Sequence, residues 1–108
     1  MSARSRRKGT RGEQEIATAY RRAGFPAARV PNSGGLDTKG DVLGIPAVHV
    51  EVKRTERLRI FEALDQAEAE APAGQVPSLH FRRNRSGWYV AVPLDDWLDL
   101  LERAELLP

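Results

Sequence analysis

The 108-residue sequence contains no cysteine. That excludes a disulfide framework and any thiolate metal site. It holds two histidines, His49 and His80, too few for a zinc site built on imidazoles. No apolar run reaches the length of about 18 residues needed to cross a bilayer, so no membrane association is expected. The N-terminus is basic, but no apolar stretch follows it. A secretory signal is therefore not expected, and a cytoplasmic setting in a prokaryotic or archaeal host fits. There is neither an internal repeat nor a low-complexity tract. The length suits one domain and leaves no room for a second. At this size the core is modest, so pairing with a second copy would add stability.

Charge is plentiful but unevenly placed. Residues 1–59 carry thirteen Lys/Arg against six Asp/Glu, a balance of +7, and residues 60–108 carry four against nine, a balance of −5. A basic half on a chain of net charge +2 points to a polyanionic partner on one face. Arginine outnumbers lysine fourteen to three. Bidentate phosphate contacts favour arginine, although GC-rich coding would give the same bias. Arg4, Arg6, Arg7, Lys8 and Arg11 stand together with no acid among residues 1–11. Residues 1–9 read as a flexible basic arm that phosphate would order, and residues 10–108 as the folded domain.

Hydrophobic spacing sets out the elements. Thr10-Arg11-Gly12-Glu13 matches a capping box, so a helix is expected to begin there, with Ile16, Ala17, Tyr20 and Ala23 buried and Gly24 closing it. Glu15 falls on its solvated side. An extended stretch runs from Ala27 to Pro31, then a loop beginning Asn32-Ser33-Gly34-Gly35. Asp41-Val42-Leu43 predicts a short strand and Gly44-Ile45-Pro46 a turn. Residues 47–53 give the clearest strand, with Val48, Val50 and Val52 on one face and His49, Glu51 and Lys53 on the other. A second helix is expected over 57–71, with Leu58, Phe61, Leu64 and Ala67 or Ala71 inward. Two strands, 76–82 and 88–92, flank a hairpin turn. A last helix capped by Asp95 or Asp96 turns Trp97, Leu98 and Leu101 inward. The order is α-β-β-β-α-β-β-α.

Chemistry gathers on the adjacent short strands. The turn at 44–46 brings Asp41 beside Glu51 and Lys53, which share a strand face. Two neighbouring carboxylates repel unless a cation lies between them. Oxygen donors suit a hard ion such as Mg²⁺, with Mn²⁺ accepted. Such an ion polarises phosphate and acidifies bound water, and an adjacent lysine offsets charge developing on the phosphate. Taken alone, the spacing from Asp41 to Lys53 also fits a solvated surface strand. By spacing alone, Glu13 is the acid of the capping box. His49 shares a face with Glu51 and either touches the site or, as with His80, is ordinary strand polarity, and Trp88 and Trp97 fit the core. Arg82, Arg83 and Arg85 either grip a phosphate backbone or solubilise a turn. Ser33 has no histidine partner that would make it a nucleophile.

Taken in order, Arg7-Lys8-Gly9, Glu13, Gly24-Phe25, Arg29-Val30-Pro31-Asn32-Ser33-Gly34, Asp41, Glu51-Val52-Lys53 and Gln66-Ala67 resemble the PD-(D/E)xK nuclease superfamily. Within it, they look most like the archaeal-type Holliday-junction resolvases, also found in phages. The resemblance covers residues 6–70. It implies a single α/β domain with a central mixed sheet flanked by helices. It implies Asp41 and Glu51 as metal ligands aided by the Val52 carbonyl, Lys53 as the catalytic lysine, and Glu13 joining the site from the first helix. It places Ser33 in the active-site loop and Gln66 as a support. It assigns DNA contacts to Arg29, Arg54 and the basic residues 4–11. The expected substrate is branched DNA, a four-way junction cut as a homodimer. Two departures stand out: Gly40 rather than proline precedes Asp41, and the C-terminal part is shorter and more acidic than in that family.

Overall fold

The alternating segment Val48-His49-Val50-Glu51-Val52-Lys53-Arg54 forms the middle strand of the molecule, and its neighbours on both sides and both faces cover it. The computed structural model describes residues 3–30 and 40–106. Its elements are α1 (Ala3–Arg22), β1 (Ala28–Arg29), β2 (Val42–Leu43), β3 (Val48–Arg54), α2 (Ile60–Glu70), β4 (Val76–Arg82), β5 (Tyr89–Ala91) and α3 (Leu94–Arg103). This is the order read from the sequence. The strands form one five-stranded mixed sheet in the order β1-β2-β3-β4-β5. Strands β3 and β4 run parallel and every other pair runs antiparallel. A parallel pair needs a crossover connection, and α2 supplies it.

The even-numbered side chains of β3 pack against α1. Val50 and Val52 join Ile16, Ala17, Ala27 and Val42 in the main core, with Tyr20, Ile45, Val48 and Trp88 at its margin. Strand alternation sends His49 and Glu51 to the opposite face. There they are also buried, at 2% and 4% exposure. The solvated-strand alternative is therefore wrong for β3: a central strand covered on two faces has no wet side.

Helix α1 begins at Ala3, not at Thr10. Thr10 and Glu13 lie inside it, so no capping box forms, and the basic run makes the helix's first turns instead of an irregular arm. No acid occupies the first turn. Cations at the positive end of a helix dipole oppose its formation. Here Lys8 is answered by Glu56 at 3.2 Å. At the other end, the Gly24 and Phe25 amides donate to the Arg21 and Tyr20 carbonyls at 3.0 Å each. Gly24 takes φ +104°, and the Tyr20 and Phe25 rings meet edge to face at 5.8 Å. This is the glycine-terminated helix end expected from the sequence. Ala23 is exposed there and not buried. Gly12 lets α1 approach the sheet closely, since a Cβ there would lie 3.1 Å from Arg54 Cβ and 3.4 Å from Val52 Cγ1.

Glu15 is not surface decoration. Its carboxylate accepts from the Arg54 guanidinium at 3.2 Å, from Trp88 Nε1 at 3.1 Å and from Arg82 at 3.5 Å. It thereby ties α1 to β3, β4 and the final hairpin. Arg54 is largely covered, so its charge depends on this partner. On the same face the Tyr20 hydroxyl and His80 Nε2 share a hydrogen bond at 2.6 Å. Burial holds the His80 imidazole down at about 4, against backbone hydrogen bonds at Ser78 and Glu51 that favour its charge.

Three hydrophobic assignments differ from expectation. Helix α2 buries Ala63 and Ala67, whereas Phe61 is 77% exposed. Helix α3 has no buried residue: Leu94, Trp97 and Leu98 are exposed. Of the two tryptophans, only Trp88 reaches the core. Of the α3 stripe expected inward, Leu101 is half-buried while Trp97 and Leu98 are exposed.

Replacing Glu15 by Ala should lower unfolding stability by on the order of 2 kcal/mol, because it strands a covered guanidinium. Phe61→Ala should stay within about 0.5 kcal/mol. Urea denaturation measures the two together, and a larger loss at Phe61 would contradict the packing described. His80 binds its proton more weakly when folded, so stability should fall as pH drops from 6.5 toward about 4. Replacing His80 by Gln should flatten that acid limb in thermal melts; an unchanged limb would remove His80 as its source.

Candidate active site

Asp41 stands where β2 begins. Its amide donates to the Val50 carbonyl at 2.8 Å, and its carboxylate Oδ2 accepts the Val52 amide at 2.7 Å. The side chain thus continues the β2–β3 ladder and is locked in direction by the backbone it adjoins. Its carbonyl also accepts the Val30 amide at 2.9 Å, which draws the β1 strand alongside.

Glu51 lies across the ladder in the central strand. Burial pushes its carboxyl up to about 9, reinforced by the Asp41 and Glu70 carboxylates, which also hydrogen-bond to it. His49 Nε2 lies 2.8 Å from Glu51 Oε1. The donor atoms of His49, Glu51 and Glu70 all fall within 4.8 Å of one another. Glu70 comes from the end of α2 and is exposed, whereas His49 and Glu51 are buried. Gln66 donates to Glu70 Oε1 at 3.3 Å. It therefore reaches the site through Glu70 and not directly.

Glu13 approaches from α1. Burial and the nearby Asp41 raise its pKa, while Arg29 and Lys53 oppose the shift. Its Oε1 accepts the Arg29 Nε at 2.8 Å, and Arg29 also reaches Thr10 Oγ1 at 3.4 Å. Asp41 is thus the neighbour common to Glu13 and Glu51. Lys53 shares the β3 face of Glu51 and lies close enough to Glu13 to favour its ionised form.

Of the residues expected from the sequence, Asp41, Glu51, Lys53 and Glu13 converge around the β2–β3 junction. Arg29 is engaged with Glu13, and Arg54 with Glu15, so both expected DNA contacts already hold acidic partners in the protein. Arg6, Arg7 and Arg11 line an open groove on α1 together with Thr10 and Gln14. Arg4 is exposed on the same helix. Ser33, with the rest of the expected loop over 31–39, lies outside the described residues. Sequence reasoning misses Glu70 and finds His49 only weakly. A signal for Glu70 exists in the sequence: with Ala63 and Ala67 it falls at positions i, i+4 and i+7 of one helical stripe. An acid on an otherwise buried alanine stripe marks a polar site under the helix.

The donor set suits a divalent cation. Buried carboxylates cannot all ionise unless a positive charge sits among them, and oxygen donors favour Mg²⁺ or Mn²⁺. Asp41 and Glu51 meet that requirement, with the Glu13 carboxylate beyond Asp41.

A family model described as "Phage putative PDDEXK endonuclease" matches residues 4–106. No curated protein and no solved structure matches the chain.

The Glu51 pKa lies above the 4.5 of an unperturbed glutamate, so the folded metal-free protein keeps a proton that the unfolded chain releases. Stability is then full below about 4.5 and declines as pH rises toward 9. Replacing Glu51 by Gln should raise the melting temperature in EDTA at alkaline pH. Added Mn²⁺ should stabilise the wild type but not this variant. A variant that melts lower in EDTA would contradict a burdened carboxyl at this position.

Proposed function

From the premise that this chain belongs to the phage PDDEXK endonuclease family, we propose that it is a metal-dependent, structure-specific DNA endonuclease that resolves four-way junctions. The observation that carries the reading is the convergence of Asp41, Glu51 and Lys53 at the β2–β3 junction, with Asp41 fixed by the Val52 amide. A phosphodiester-binding protein gains nothing from gathering carboxylates near phosphate unless a cation is held there.

In this reading Asp41 and Glu51 hold Mg²⁺ or Mn²⁺ with the Val52 carbonyl, and Glu13 joins them once Arg29 turns to a DNA phosphate. The bound ion supplies charge neutralisation at the scissile phosphate and a more acidic attacking water. Lys53 orients that water and offsets charge on the phosphate oxygens. Water attacks phosphorus and the P–O bond to the leaving strand breaks, with no covalent enzyme intermediate. Gln66 keeps Glu70 directed at the site. Ser33 acts in the loop preceding Asp41. Arg4, Arg6, Arg7, Lys8 and Arg11 follow the phosphate backbone, and Arg54 joins them only where Glu15 releases it. Non-sequence-specific grip of this kind weakens steeply with salt.

Junction specificity and the homodimer rest on the resemblance and on symmetry. Two paired cuts call for two active sites related by a twofold axis. The exposed apolar residues of α3, Leu94, Trp97 and Leu98, are consistent with a face that a second copy covers. The alternatives are the same chemistry on nicked or linear DNA, or a non-cutting DNA-binding module.

The test is cleavage of a labelled four-way junction beside linear, nicked and flap DNA, in Mg²⁺ and in EDTA. Paired symmetric cuts confined to the junction and abolished by EDTA are expected. Cutting of another substrate would discard the junction assignment, and salt-sensitive binding without cutting would leave only the binding module. Asp41→Asn, Glu51→Gln and Lys53→Ala should each abolish cutting and spare junction binding. Replacing Arg4, Arg7 and Arg11 together by Gln should flatten the salt dependence of binding, by a slope of about 0.9 for each phosphate no longer neutralised. An unchanged slope would remove α1 from the interface.

A further inference from the structure

We infer that His49, Glu51 and Glu70 form a second cation site, selective for a divalent transition metal over Mg²⁺, that shares Glu51 with the catalytic carboxylates. The inference rests on the nuclease reading only through that shared ligand. His49 belongs to no part of the proposed cutting machinery, and Glu70 enters it only as the partner of Gln66.

Three observations carry it. The donor atoms of these side chains lie within 4.8 Å of one another, and the closest pair, His49 Nε2 and Glu51 Oε1, is at 2.8 Å. Ligand–metal distances of about 2.0–2.2 Å place ligands up to about 4.4 Å apart, so small side-chain adjustments close the set around one ion. Secondly, the imidazole is built in and not adventitious. His49 is 2% exposed, in the central strand, and its ring is backed by Gly40. Glycine is favoured at Gly40 by its φ of +90° and by the Val50 carbonyl oxygen, 3.2 Å from where a Cβ would lie, and the backbone there sits in contact with the ring edge. A buried ring held by packing presents its Nε2 in a fixed direction, toward Glu51. Thirdly, the set reaches the surface: Glu70 is exposed at the end of α2, held by Gln66, while its two partners are buried.

The donor chemistry sets the selectivity. An imidazole nitrogen with two carboxylates suits Mn²⁺, Fe²⁺ or Zn²⁺, whereas Mg²⁺ favours oxygen donors throughout. A proton now lies between His49 and Glu51, and a cation would take its place. The all-oxygen group around Asp41 and the nitrogen-containing group around His49 are therefore chemically distinct neighbours.

Mn²⁺ titration of the full chain, read by electron paramagnetic resonance, tests this. Pulsed measurements detect a ¹⁴N coupling when an imidazole nitrogen binds Mn²⁺ directly. The wild type should bind two Mn²⁺ and show the coupling. Glu70→Gln, an exposed substitution that leaves the core intact, should lose one equivalent and the coupling; His49→Gln should do the same. Asp41→Asn should keep the coupling while losing the other equivalent. Excess Mg²⁺ should displace the Mn²⁺ that lacks nitrogen and spare the one that has it. Bound Mn²⁺ without ¹⁴N coupling, or a coupling indifferent to His49→Gln, would overturn the inference and leave the Asp41 site standing. Coupling that persists with Asp41→Asn showing undiminished occupancy would support it and count against Asp41 as a ligand.

Discussion

A carboxylate buried in the middle of a sheet must be neutralised, and Glu51 is such a group. At 4% exposure, with Asp41 and Glu70 beside it, it has no water to spread its charge into. A proton serves in the isolated protein, and a divalent cation is the other solution. The rest of the molecule is arranged to keep this group where it is. Strand β3 lies third among five strands, α1 covers one face, and the alanine stripe of α2 brings Glu70 down on the other. A free-energy cost carried at one position, with the surroundings fixing it in place, is the usual mark of a site kept for function.

The two helices divide the work. α1 supplies Glu13 inward and arginines outward, and Glu15 holds its middle against the sheet by three hydrogen bonds. That attachment sets how far Glu13 can lie from Asp41. The N-terminal turns of α1 place like charge at the positive end of the helix dipole, a tension that a phosphate backbone would relieve. Arg29 neutralises Glu13 in the protein alone.

Much of this is readable in the sequence. The order of eight elements, the Gly24 helix end, the strand carrying Glu51 and the pairing of Asp41 with it come from period, turn chemistry and spacing. What the sequence conceals has particular physical causes. Thr10 and Glu13 satisfy a capping pattern, yet the helix continues seven residues further toward the N-terminus, because local patterns do not register whether a preceding basic segment will also coil. Glu15 reads as solvated surface until Arg54, Arg82 and Trp88, distant in sequence, converge on it. Phe61 and Trp97 look like core because helical period marks a stripe without saying what, if anything, covers it. His49 reads as edge polarity because a central strand and an edge strand alternate identically. Glu70 escapes notice since the alanine stripe that carries it is weakly hydrophobic.

The central claim is that Asp41 and Glu51 hold a divalent cation against a DNA phosphate. Crystals of the protein with uncleaved junction DNA and Mn²⁺ would test it most directly, through anomalous difference density. The account predicts a peak within coordination distance of Asp41 and Glu51 that also touches a backbone phosphate. Well-ordered DNA with Mn²⁺ only on surface acids, and Glu51 bonded solely to its protein neighbours, would contradict it.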